Sequence, residues 1–110
     1  MPKYLTQVRI TQEGIKGTLK EGGTARKEAI IKFVEALGGK VEALYYAFGQ
    51  TDLFIIQDMP DNVTAVAGSM IAEATGVSEI SITVLITPEE IDRAAQMAQK
   101  MSASYRVPER

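Results

Sequence analysis

Apolar residues recur along this chain with two periods, two and three-to-four, and the switches between them mark out its elements. From Lys3 to Thr11 the pattern alternates, with Tyr4, Thr6, Val8 and Ile10 on one face and Leu5, Gln7 and Arg9 on the other, as in a half-buried strand. Thr11 is placed to cap a short helical turn through Ile15 and Leu19, which Gly22-Gly23 interrupts. Thr24 is then the expected cap of a longer helix reaching to about Leu37. Its apolar residues Ala29, Ile30, Phe33, Val34 and Leu37 recur at three and four, and Gly38-Gly39 stands where a left-handed stop belongs.

The segment from Val41 to Asp58 reads as two apolar strands, residues 40–48 and 52–58, joined through Gly49-Gln50-Thr51-Asp52 as a hairpin. In the second of these strands Leu53, Phe54, Ile55 and Ile56 put apolar side chains on both sides of the pleat, so both faces need cover. Ile55 is expected to face the second cover. After Pro60, Asp61 is placed to cap a helix carrying Val63, Val66, Ala67, Met70, Ile71 and Ala74, which Gly76 ends. A fourth strand alternates Ile80, Ile82 and Val84 against Ser81 and Thr83. Thr87-Pro88-Glu89-Glu90 opens a last helix to about Met101, with a threonine cap, proline at the first position and a capping-box glutamate. Residues 102–110 read as an extended or frayed tail.

The order strand, helix, strand, strand, helix, strand, plus a terminal helix, predicts an α+β fold of ferredoxin-like βαββαβ type. Right-handed crossovers then place both main helices on one side of a four-stranded sheet. The other side, with Leu5, Gln7, Arg9, Ser81, Thr83, Leu85 and half of strands two and three, is left bare and is only partly polar. At about 25 cal/mol per Å², covering a few hundred Å² of apolar surface there is worth several kcal/mol. Two covers suggest themselves: a second copy packed sheet to sheet as a dimeric α/β barrel, which is the expectation, or the chain's own narrow, alanine-rich last helix.

At 110 residues the chain fits a single domain, residues 1–110, with an ordinary globular composition of 45% hydrophobic and 24% charged residues. A net charge of -2 gives no overall attraction to nucleic acid or to an anionic membrane. The basic residues Lys16, Lys20, Arg26, Lys27 and Lys32 are interrupted by Glu21 and Glu28 and lack an aromatic platform, so they read as a solvated face and not as a nucleic-acid site. There is no cysteine and no histidine, which removes disulfides, thiolate chemistry and the commonest general base and metal ligand. No metal site and no cofactor motif is expected. No stretch approaches the roughly 20 apolar residues of a membrane helix, and the first residues lack a signal-like apolar run, so the expectation is a cytoplasmic soluble protein.

With its elements placed, the sequence resembles the GYD domain family. The resemblance is carried by Tyr4-Leu5-Thr6, by Thr11-Gln12-Glu13-Gly14-Ile15-Lys16, by Ala36-Leu37-Gly38-Gly39-Lys40 and by Gly49 to Asp52 between apolar strands, and it spans about residues 3 to 92. The Gly-Tyr-Asp motif behind the family's name is altered: Gly49 and Asp52 stand, with Gln50-Thr51 in place of the tyrosine. The resemblance implies a ferredoxin-like dimeric barrel and brings no settled activity with it.

Five residues are candidates for binding a small molecule: Tyr4, Thr6, Arg26, Tyr46 and Asp52. Arg26 lies one turn before Ile30, at the expected mouth of the space between helix and sheet, where it suits either an anionic ligand or an ion pair with Glu21. Tyr45 and Tyr46 are adjacent on a strand, so one faces the helices, where it is placed to line a pocket with Tyr4 and Thr6, and the other faces the partner. Asp52 either caps the turn or, with Tyr46 or Arg26, supplies the carboxylate of a minimal proton-transfer site. No catalytic residue is assigned. The expected role is a non-catalytic small-molecule-binding or accessory module assembled with itself. The alternative is a cofactor-independent enzyme, oxygenase- or isomerase-like, acting on a small organic substrate between sheet and helices.

Overall fold

The two stretches of period-two alternation and the two apolar stretches of the hairpin become strands, and the period-three-to-four stretches become helices. The computed structural model describes residues 1–109, in the order β1 (Lys3–Ile10), α1 (Gln12–Glu21), α2 (Gly23–Ala36), β2 (Lys40–Tyr46), β3 (Leu53–Asp58), α3 (Asn62–Ala74), β4 (Ser78–Leu85) and α4 (Pro88–Met101), with a 3-10 turn at Ser102–Ser104. The strands form one antiparallel sheet in the order β2-β3-β1-β4, consistent with the ferredoxin-like arrangement.

The helix ends show why each segment starts and stops where it does. The side chains of Thr11, Asp61 and Thr87 accept hydrogen bonds from the third residue onward in α1, α3 and α4, and Glu90 closes a capping box on the Thr87 amide. Thr24 does not cap α2. Gly22, with φ +84°, closes α1 and serves as the N-cap of α2 in one step, which leaves Thr24 inside the first turn. At the far end Gly38, also at φ +84°, makes a Schellman stop: its amide donates to Glu35 O at 2.9 Å, and that of Gly39 to Val34 O at 3.0 Å. β2 ends two residues earlier than the sequence suggests, because the Ala47 amide donates to Asp52 O at 2.8 Å and turns the chain, leaving Phe48 exposed at the hairpin tip.

Strand register sorts the side chains into two faces. Tyr4, Thr6 and Val8 of β1, Leu44 of β2 and Leu53, Ile55 and Gln57 of β3 are buried on the helix side, where Val34 of α2 and Ala65 of α3 pack over them. Ile55 therefore faces this chain's own helices, opposite Thr6 and Leu44, and not a second cover; Ile56, opposite Leu5 and Ala43, takes the outward place. A strand that is apolar on both sides carries no parity signal, and a slip of one residue exchanges its faces.

The outward face holds a band of Leu5, Ala43, Tyr45, Phe54 and Ile56, with Gln7, Arg9, Ser81 and Thr83 beside it toward β4. At its edge the Lys3 ammonium lies 2.9 Å from Asp58 Oδ1 and 3.0 Å from Glu42 Oε1, and those hydrogen bonds, Asp58's first, hold it above the usual lysine range. Among the described residues no helix packs on this face. α4 makes only marginal contact with the rest of the fold, and Ile91, Met97 and Met101 along it are exposed. The Cα radius of gyration is 18.0 Å, against about 13 Å for a compact chain of this length, in keeping with a C-terminal helix that packs little on the rest.

Candidate ligand-binding site

The space between two helices on one sheet depends on where the helices touch. α2 and α3 meet over a short stretch at which Gly68 faces Leu37 and Phe33; a Cβ on Gly68 would lie 2.8 Å from Leu37 Cδ1. Around that contact, whose residues Phe33, Leu37 and Gly68 are part of the lining, they border, with α1 and the sheet, a cavity of about 540 Å³ that opens to solvent. Its floor is the buried face of β1 and β3, including Thr6, Val8, Ile55 and Gln57, and Ile82 of β4 continues it. Ile30 and Phe33 of α2 and Ser69 and Ala72 of α3 form the walls.

α1 closes one end because its first turn is clamped to the start of β4. The Thr11 amide donates to Val77 O at 3.1 Å, the Thr11 hydroxyl donates to Gly76 O at 2.7 Å, and Gly14 lies so close to Val77 O and Ile10 that a Cβ there would overlap both. The charged residues of the lining, Glu13, Glu21 and Arg26, lie at this end and reach solvent. Glu13 pairs with Lys16 at 3.2 Å, and Arg26 Nη1 is 3.7 Å from Glu21 Oε2. The cavity is thus apolar in its depth and ionic only at its rim.

The structure brings three of the five sequence candidates to this space. Thr6 is on the floor, Arg26 is at the rim, and Tyr46 lines the wall with its phenol donating to Gly23 O at 3.0 Å. Tyr45 takes the opposite face, beside Phe54, and is 73% exposed. Tyr4 does not line the cavity. It is 1% exposed in the core, and its phenol donates to Asn62 Oδ1, tying β1 to the start of α3. Asp52 is also outside the lining: its Oδ2 accepts the Ile10 amide at 2.7 Å, while its own amide donates to Val8 O at 2.9 Å, fastening the hairpin loop to the end of β1.

Gln57, which is not among the five candidates, also lies on the cavity floor. Its signal is a polar residue in an otherwise apolar strand at the same parity as Ile55, and it is only 8% exposed. Thr6 and Gln57 are diagonal neighbours on adjacent strands, since Tyr4 is the partner of Gln57 and Ile55 that of Thr6. The Thr6 hydroxyl is sealed from solvent and has no hydrogen-bond partner among the described residues. Among the same residues, no cluster of three or more acidic or other ligating side chains is arranged to hold a metal ion, and no helix is long and apolar enough to cross a membrane.

The GYD domain model matches residues 4–95, which takes in the four strands from Tyr4 onward, the first three helices and the start of α4. The chain belongs to the GYD domain family. No curated protein and no solved structure matches it.

Proposed function

We propose that this GYD domain is a cytoplasmic, non-catalytic small-molecule-binding module that works as a homodimer, or as a larger oligomer of dimers, joined through open sheet faces. The observation that carries the binding half is the cavity of about 540 Å³ between sheet and helices, apolar in its depth with a few polar groups, in the size range of ligand pockets. Binding without chemistry is favoured by where the carboxylates lie. Asp52 is engaged by backbone amides outside the lining, and Glu13 and Glu21 sit in exposed ion pairs at the rim, so no buried acid faces a bound molecule as a base.

The dimer half rests on the band of Leu5, Ala43, Tyr45, Phe54 and Ile56. Among the described residues no helix packs on it, and α4 makes at most marginal contact with the sheet. Two such faces packed about a two-fold axis make a self-complementary contact, a dimeric α/β barrel, and at about 25 cal/mol per Å² the apolar band supplies the driving force. The exposed stripe of Ile91, Met97 and Met101 on α4 then has the partner's surface to lie on.

A thermal-shift screen of small organic molecules tests the binding half, because a ligand of the native state raises its melting temperature. The expected hits raise the melting temperature of the native chain and fail on Ala72→Phe, which fills the cavity from the α3 wall. Hits that shift both proteins equally, or a screen without hits, would count against the pocket.

A further inference from the structure

The polar groups of the cavity are distributed unevenly. Every charged side chain in the lining is at the solvent rim, and the only cation among them, Arg26, is already shared with Glu21. The depth offers Thr6, whose hydroxyl is buried and unpartnered, and beside it the carboxamide-bearing Gln57. Around them the surface is apolar, from Ile30, Phe33, Ile55 and Ile82. A buried hydroxyl without a partner is costly, and a site that retains one gains when a bound molecule supplies the missing hydrogen bond. A 120° rotation about the threonine χ1 carries the hydroxyl from one staggered position to the next, so it can turn toward an occupant.

Resting on the reading that the cavity is a ligand site, we infer that its ligand is a neutral, largely apolar molecule with one hydrogen-bonding head, a hydroxyl or a carbonyl, inserted head first onto Thr6 and Gln57. Thr6 both donates and accepts, and the Gln57 carboxamide offers the complementary group, so either head is matched. A carboxylate in the same place would be an ion in an apolar enclosure with no cation in reach, which strongly disfavours it. An anionic ligand would have to stop at the rim against Arg26 and leave Thr6 unsatisfied. The tail of the neutral ligand lies along Ile30 and Phe33 and points toward α1.

The probes are 1-decanol, 2-decanone and decanoate, titrated into the native chain and into Thr6→Val, Thr6→Ser and Arg26→Ala, with amide NMR spectra and melting temperature as readouts. The alcohol and the ketone are expected to bind more tightly than decanoate and to move the amide signals of Thr6 and Gln57. Thr6→Val is expected to weaken them about 3- to 10-fold, the value of one hydrogen bond. Thr6→Ser should restore affinity, and Arg26→Ala should weaken it less than Thr6→Val does. If decanoate binds best, and loses affinity in Arg26→Ala but not in Thr6→Val, the head-group inference is overturned while the pocket stands. Silence of all three probes, when the wider screen yields a ligand excluded by Ala72→Phe, likewise overturns the head group alone. Silence in both experiments overturns the pocket with it.

Discussion

Replacing Thr6 by valine should make the ligand-free protein more stable, an unusual outcome for a substitution at a residue only 6% exposed in the centre of a sheet. The hydroxyl of Thr6 is buried and makes no hydrogen bond, so the folded state bears a desolvation cost of about 1–3 kcal/mol that valine does not. Valine keeps the branched shape on a strand, adds a methyl to apolar surroundings of Ile55 and Ile82, and has at least the strand preference of threonine. The expected net gain is about 1–2 kcal/mol. In a domain of this size each kcal/mol corresponds to roughly 4 °C or more in melting temperature. Urea unfolding followed by circular dichroism would show a higher midpoint with an unchanged slope. Thr6→Ser, which keeps the hydroxyl and opens a methyl-sized void, should be less stable than the native chain by about 1 kcal/mol. A valine variant that unfolds at lower denaturant than the native protein would mean that the hydroxyl has a partner in solution, and the basis for placing a ligand head there would go with it.

Three other outcomes follow from packing and caps. Gly39→Ala should cost about 1–3 kcal/mol in urea unfolding, because a Cβ there would run into Asp58 O and lie 2.5 Å from Met59 Sδ, beside a backbone carbonyl that has nowhere to move. Met59→Ala, which empties a site 1% exposed in the core, should cost about 2–5 kcal/mol by the same measurement. The carboxyls of Asp61 and Glu90 lie below their usual ranges, Asp61 through the Thr64 amide and hydroxyl and Glu90 through the Thr87 amide. Being depressed on folding, both contribute stability that is complete above the unfolded carboxyl range, about pH 4, and is lost as pH falls through the lower folded values. Acid titration followed by helical circular dichroism should therefore show a loss of helix in that window, reduced in Asp61→Asn and Glu90→Gln.

Much of this fold was legible because caps and periodicities are local. Thr11, Asp61 and Thr87 start helices where their side chains can accept the orphan amides, Gly38 and Gly76 stop them at positive φ, and the alternation of β1 identifies its inward residues. What failed to show in the sequence was set by tertiary contacts or by a missing contrast. Ile55 and Ile56 are chemically alike, so nothing in β3 says which is inward until β1 pairs with it. Gly22 supplanted Thr24 as a cap because one left-handed glycine serves both helices. Of the candidate residues, Arg26 and Thr6 were placed by simple helix and strand geometry. Asp52 and Tyr4 went to structural partners, Ile10 and Asn62, that lie 42 and 58 residues away and leave no local trace. The cavity itself depends on how far α3 stands from α2, which Gly68 and Leu37 decide, and Gln57 gains meaning only once that space exists.

The uncovered sheet face can be tested by mass. Light scattering on the purified chain should give twice the 12.0 kDa of one copy, or a multiple of that doubled mass, and Ile56→Asp, which puts a charge into the band without touching the core, should lower it. A native chain that runs as a folded monomer at 12.0 kDa, or a folded Ile56→Asp that keeps the native mass, would show that this face does not join two copies.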